Sequence, residues 1–172
     1  MTYPPGARNV YQLAQVNVAR PVAPLTDPAL AGFVAALEPV NALADAAPGF
    51  VWRLQTEDGD ATAIRAFDDD RIIVNMSVWE SVEALGDFVF RSRHLDVLRR
   101  RREWFEKMAT AYVALWWVPA GTIPTVDDAK RRLERLERLG PTADAFTFRE
   151  PFPAPDSTLE VERDDRWFCP AG

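Results

Sequence analysis

The chain contains a single histidine, His94, and five residues later an arginine run begins, Arg99 to Arg102. A sole histidine cannot build the multi-histidine site typical of catalytic zinc. Its unperturbed pKa near neutrality suits a general base, and one imidazole can also serve as an axial haem ligand. The third reading is a hydrogen-bonded residue at a helix start. Helical phase at about 100° per residue sorts the arginines. With Leu98 as origin, Phe105, His94, Arg101 and Arg102 fall within roughly 60° of one apolar arc. Arg99 and Arg100 fall on the opposite face with Asp96, Glu103 and Lys107, where i,i+4 pairing keeps charges solvated. Arg101 and Arg102 are thus expected to point inward or toward a partner. There each needs a carboxylate, carbonyls or an anionic ligand, because a buried unpaired charge is costly.

A second set of polar residues lies on predicted strands. Alternation over Val10–Ala19 puts Leu13, Gln15 and Asn17 on one face and Ala14, Val16 and Val18 on the other. Over Arg71–Trp79, Asn75, Ser77 and Trp79 oppose Val74, Met76 and Val78. If the two amide-bearing faces meet one cavity, they form a polar wall beside Trp52, Trp79 and Trp116. A mostly aromatic pocket with a few amides suits a planar organic ligand. Against this stands the simpler reading, in which Asn17 ends a strand and the tryptophans are core.

The elements that must position these residues are punctuated clearly. Asp27-Pro28 starts a helix with Leu30, Phe33, Leu37 and Ala44 at helical spacing, and Pro39 predicts a kink or break in it. Strands are expected over Phe50–Gln55, Ile64–Phe67, Arg71–Trp79, Ala111–Val118 and Ala145–Phe148. Ser81 caps a helix over Val82–Phe90, a second helix runs over Leu95–Met108, and Thr125 with Asp128 opens a third that Gly140-Pro141 stops. The first six major elements follow a βαββαβ order, an α+β ferredoxin-like pattern, with an added C-terminal helix and strand. The chain divides into an extension (1–9), one domain (10–153) and a loosely held tail (154–172).

Other chemistries are poorly served. A net charge of -6 argues against nucleic acid as partner. No apolar run reaches membrane-spanning length, and no secretory signal is visible. Cys169 is the lone cysteine, which fits a cytoplasmic location. Phosphate loops and nucleophile elbows are missing, Asp68-Asp69-Asp70 reads as a solvated turn, and no cofactor is expected.

Several stretches together resemble the family known as domain of unknown function 3291: Tyr11 to Asn17, Pro48 to Leu54, Trp79-Glu80-Ser81, Ser92 and His94 ahead of Arg102 and Trp104-Phe105, Trp116 to Gly121, and Arg132 to Phe148 in part. That family looks like a member of the dimeric α/β-barrel superfamily, with antibiotic-biosynthesis monooxygenases, haem-degrading oxygenases and small lactone isomerases among its relatives. The resemblance implies a homodimer packed sheet against sheet, with a pocket in each subunit between sheet and helices. In cofactor-free oxygenases of the superfamily, Asn, Trp and His side chains hold an electron-rich substrate that itself activates oxygen; Asn17, Trp79 and His94 are the counterparts implied here. The expected function is small-molecule binding, with monooxygenase or isomerase chemistry on an aromatic or polyketide-like substrate. A non-catalytic ligand-binding or structural dimer and a haem-binding protein are the alternatives. His94 follows Trp79 by fifteen residues, which departs from the haem-degrading arrangement.

Overall fold

A computed structural model describes residues 10–157, 161 and 164. The extension before Val10, most of the tail and Cys169 lie outside the described residues. Among the described residues, four strands form one antiparallel sheet: β1 (Tyr11–Ala19), β2 (Phe50–Arg53), β3 (Ile73–Trp79) and β4 (Val113–Pro119), in the order β2-β3-β1-β4. The central pair is in register from Leu13 opposite Trp79 to Ala19 opposite Ile73. On the other side of β1, Gln15 sits opposite Leu115 and Asn17 opposite Val113.

Strict alternation gives this sheet two unlike faces. One carries Ala14, Val16, Val18, Val74, Met76, Val78, Ala114, Trp116 and Val118, all buried. Helix α5 (Val126–Leu139) covers it with Ala129, Leu133 and Leu136, and the irregular 61–72 segment adds Ile64, Phe67 and Ile72. The face that sheet-against-sheet pairing would use is therefore occupied by the chain itself. The other face carries Gln15, Asn17, Asn75, Ser77 and Trp79, and lies under α1 (Ala31–Asp45), α2 (Val82–Arg91), α3 (His94–Arg99) and α4 (Arg101–Trp104).

Helix α5 begins with the expected capping box: Thr125 Oγ1 accepts from the Asp128 backbone N–H at 3.1 Å, and Asp128 Oδ2 accepts from the Thr125 N–H at 3.0 Å. These bonds hold the Asp128 carboxyl below its usual pKa. Replacing Thr125 with Ala should lower unfolding free energy by about 0.5–2 kcal/mol in urea denaturation, without changing the slope.

Four expectations are corrected. Helix α1 runs through Pro39 without a break; Pro39 and Ala35 both lie on its exposed side, so water can satisfy the carbonyl that loses its donor. Ile64–Phe67 is not a strand, although its apolar side chains still pack on the sheet. At the C-terminal end, Ala145–Phe148 reduces to isolated bridges, of which one, Phe146 with Leu115, lies along the edge of β4. The Leu95–Met108 helix breaks at Arg100 and ends at Trp104. Its phase is overridden by tertiary pairing: Val22 N–H donates to the Trp104 carbonyl and Glu106 N–H to the Arg20 carbonyl, both at 2.9 Å. Trp104 is buried, its ring 5.8 Å from that of Phe33 on α1.

In the Asp68-Asp69-Asp70 turn the middle carboxylate is held by arginine. Asp69 accepts from Arg20 Nε at 2.7 Å and from the Arg71 backbone N–H at 3.0 Å. Arg20 also pairs with Glu106, and Arg71 Nη2 donates to the Pro21 carbonyl at 2.6 Å. One ionic knot thus joins the end of β1, the 69–71 turn and the chain leaving α4.

Candidate functional site

The helix-covered face encloses a cavity of about 360 Å³, within the range of small-molecule sites. Its floor is the sheet. The rows Trp79, Ser77/Gln15, Asn75/Asn17 and Ile73/Ala19 follow one another along β3 and β1, a floor about 20 Å long at the usual strand rise. Its roof is helical: Phe33, Leu37 and Asn41 from α1, Leu85 and Phe88 from α2, His94, Val97 and Leu98 from α3.

The floor carries an ordered polar ladder. Trp79 Nε1 donates to Ser77 Oγ at 2.8 Å, and Gln15 Nε2 bridges Ser77 Oγ and Asn75 Oδ1, each at 2.8 Å. Indole nitrogen can only donate, so Ser77 must accept there, and its hydroxyl proton points elsewhere. Removing that hydroxyl leaves a buried N–H without an acceptor. Ser77→Ala should therefore cost about 1–3 kcal/mol of stability, read as a lower denaturant midpoint.

An aromatic file rises from this ladder to the histidine. Phe50 meets Trp79 edge-on at 5.4 Å, Phe88 stacks on Trp79 at 5.1 Å, and His94 lies 5.1 Å from Phe88. His94 is seated by a local device: Ser92 Oγ accepts from the His94 backbone N–H at 3.1 Å. Its Nδ1 is 3.2 Å from the Val89 carbonyl. A carbonyl oxygen only accepts, so Nδ1 carries the proton and Nε2 is the unprotonated nitrogen left for a ligand. Burial pushes the His94 pKa below 6.5, outweighing the opposite pull of the Val89 carbonyl. The ring is neutral at physiological pH, the state a base requires.

Arg101 stands at the other end. It is half-buried, 4.7 Å over the Tyr112 ring and 5.8 Å over that of Phe105. The Tyr112 carbonyl accepts from the Val18 N–H at 2.9 Å, which places this end beside Asn17. Burial lowers the Arg101 pKa and the Tyr112 hydroxyl opposes this; a guanidinium still remains charged. Among the described residues Arg101 makes no ion pair.

Seven of the residues singled out from sequence thus line one cavity: Gln15, Asn17, Asn75, Ser77, Trp79, His94 and Arg101. Three do not. Arg102 is exposed, because the break at Arg100 resets the helical phase. Trp116 lies opposite Ala14 on the α5-covered face, with Arg132 5.9 Å from its ring. Trp52 joins that face too, because a bulge between Phe50 and Trp52 sets it opposite Val78. The same bulge puts Arg53 opposite Ser77 and into the cavity lining. Arg53, Phe88 and Tyr112 are lining residues that the sequence patterns missed. For Tyr112 the signal in the sequence is its type alone, an aromatic residue near the start of the strand expected over Ala111–Val118. The Arg53 placement depends on the bulge, which leaves no mark in the sequence.

Among the described residues, no group of three metal-ligating side chains occurs and no helix is long and apolar enough to cross a membrane. The chain belongs to the family described as domain of unknown function, DUF3291, whose profile matches residues 12–162. It is similar to the crystal structure of PA3566 from Pseudomonas aeruginosa, at 13% identity and a TM-score of 0.44, over 67% of this chain and 100% of that one. It is also similar to that of NE2512, a protein of unknown function from Nitrosomonas europaea, at 14% identity and a TM-score of 0.41, over 69% and 99%. No curated protein matches the chain.

Proposed function

We propose that this chain is a ferredoxin-like subunit, paired otherwise than sheet against sheet, that binds a planar organic molecule between sheet and helices, and that His94 abstracts a proton from it without a cofactor. The strand order β4-β1-β3-β2, with helices α1 to α4 on one face, supports the ferredoxin-like reading. The observation that carries the chemical reading is the Val89 contact. It spends Nδ1 and leaves Nε2 as a neutral base in an aromatic-walled cavity. Proton abstraction is the first step that isomerases and cofactor-independent oxygenases share, and either reaction could follow it here. Homodimerisation belongs to the proposal as well. With the far sheet face covered by α5 and residues 61–72, pairing would use outer surfaces and leave the pocket whole.

A nitrobenzisoxazole is a suitable probe. It is planar, its ring C–H is lost to a base, the N–O bond opens, and a coloured cyanophenolate forms with no other reactant. The wild-type protein should accelerate this opening above an equal concentration of free imidazole, and His94→Gln should lose the acceleration. Equal rates in the two proteins would remove His94 as a base. If the probe still bound both proteins with one affinity, the non-catalytic binding protein would become the better account.

A further inference from the structure

The charges around the cavity are unequal, and the imbalance bears on what it binds. Besides the phenol of Tyr112, four lining side chains among the described residues have ionisable heads: Arg53, Asp60, His94 and Arg101. Arg53 is neutralised, because Asp45 accepts from its Nε at 2.7 Å and from its Nη2 at 3.3 Å, while the Gly59 carbonyl takes Nη1 at 2.6 Å. Asp60 is occupied locally, its Oδ1 accepting from the Thr62 N–H at 2.8 Å and hydroxyl at 2.6 Å. His94 donates to Val89. Only Arg101 is left as a half-buried cation without a carboxylate among the described residues, held by Tyr112 and Phe105 alone. Arg53 sits on β2 and Tyr112 abuts β4, the two edges of the sheet. Three strand spacings, about 14 Å, separate those edges, so Asp60 beyond β2 is not placed to neutralise Arg101.

A partly desolvated guanidinium between aromatic rings is a strong anion receptor. Its donors are rigid and planar, and the rings keep water off its faces. The amides of Asn17 and Asn75, opposite one another in register, lie on the floor at that end. We propose that the ligand is a planar aromatic monoanion whose carboxylate is bound by Arg101, its ring lying along the floor toward Phe88 and His94. A monoanion is favoured over a phosphate ester because among the described residues one free cation, and not several, faces the cavity. This inference deepens the binding reading above and rests on it.

Calorimetric titration with a matched pair tests it: naphthoate and its neutral naphthamide, which share one ring system. Naphthoate should bind the wild type about ten- to a hundredfold tighter than the amide, the worth of a charge-assisted hydrogen bond. Arg101→Met should erase that preference while keeping amide binding, Arg101→Lys should keep part of it, and Arg99→Gln, on the exposed side, should keep all of it. Equal binding of the two probes by the wild type would overturn the anion assignment and leave the pocket reading standing, as would a preference that survives Arg101→Met. Binding of neither probe would overturn both.

Discussion

Trp79→Ala should lower the unfolding free energy by about 3–5 kcal/mol, the cost of emptying a large buried aromatic site. Trp79 is 1% exposed, is clasped by Phe50 and Phe88, and gives its one polar hydrogen to Ser77. The truncation removes both ring contacts and leaves Ser77 and Gln15 to re-pair. The new void is continuous with the cavity, so ligand binding should fail together with stability. A urea midpoint that falls by the amount expected for Ser77→Ala alone would show that the aromatic contacts contribute little. Trp79→Phe separates the two effects, because it keeps most of the packing and deletes the donor. This geometry makes Trp79 a wall and a positioning residue. Its indole nitrogen is already spent on Ser77, so a direct bond to substrate is not the role it offers.

The second large effect is expected at His94. Replacing it with Gln should slow probe opening by about a hundred- to ten-thousandfold, the usual contribution of a positioned general base. The pH dependence carries independent information. Because burial sets the folded pKa below 6.5, the unfolded chain binds a proton that the folded chain refuses between those two values. Unfolding is then favoured as pH falls. The His94 share of stability is complete above pH 6.5 and is lost as the pH falls from there through the lowered pKa. His94→Gln should lack that share of the decline. Probe opening should hold its rate somewhat below pH 6.5 and fall only once Nε2 is protonated. Thermal unfolding of wild type and variant at neutral and mildly acidic pH checks the stability half; identical losses in both proteins would contradict it.

Much of this arrangement was legible in the sequence, and the misses have identifiable causes. Period-two alternation on β1 and β3 correctly grouped Gln15, Asn17, Asn75, Ser77 and Trp79 on one face, because both strands are regular and fully paired. Sequence also marked His94 and Arg101 as polar residues within an apolar arc. It misplaced Arg102 because phase was carried across Arg100, where backbone pairing between residues 20–22 and 104–106 pulls the chain out of the helix. No local pattern reveals a contact that distant. Trp52 and Trp116 were grouped with the pocket by residue type. A bulge displaces the first, and plain alternation opposite Ala14 places the second on the far face. The closing of that far face by α5 is a matter of topology: the helix was visible, but the surface it would cover was not.

The single histidine makes the central claim unusually direct to test. In untagged, nitrogen-15-labelled protein, every imidazole signal belongs to His94. Nitrogen–proton correlation spectra of the ring should show Nδ1 protonated and Nε2 bare in the folded protein. On titration with naphthoate, Nε2 should shift the more, while naphthalene-free benzamide at the same concentration should move it less. A ring protonated on Nε2, or one whose nitrogens do not respond to the ligand at saturation, would contradict a pocket built around His94 as its base.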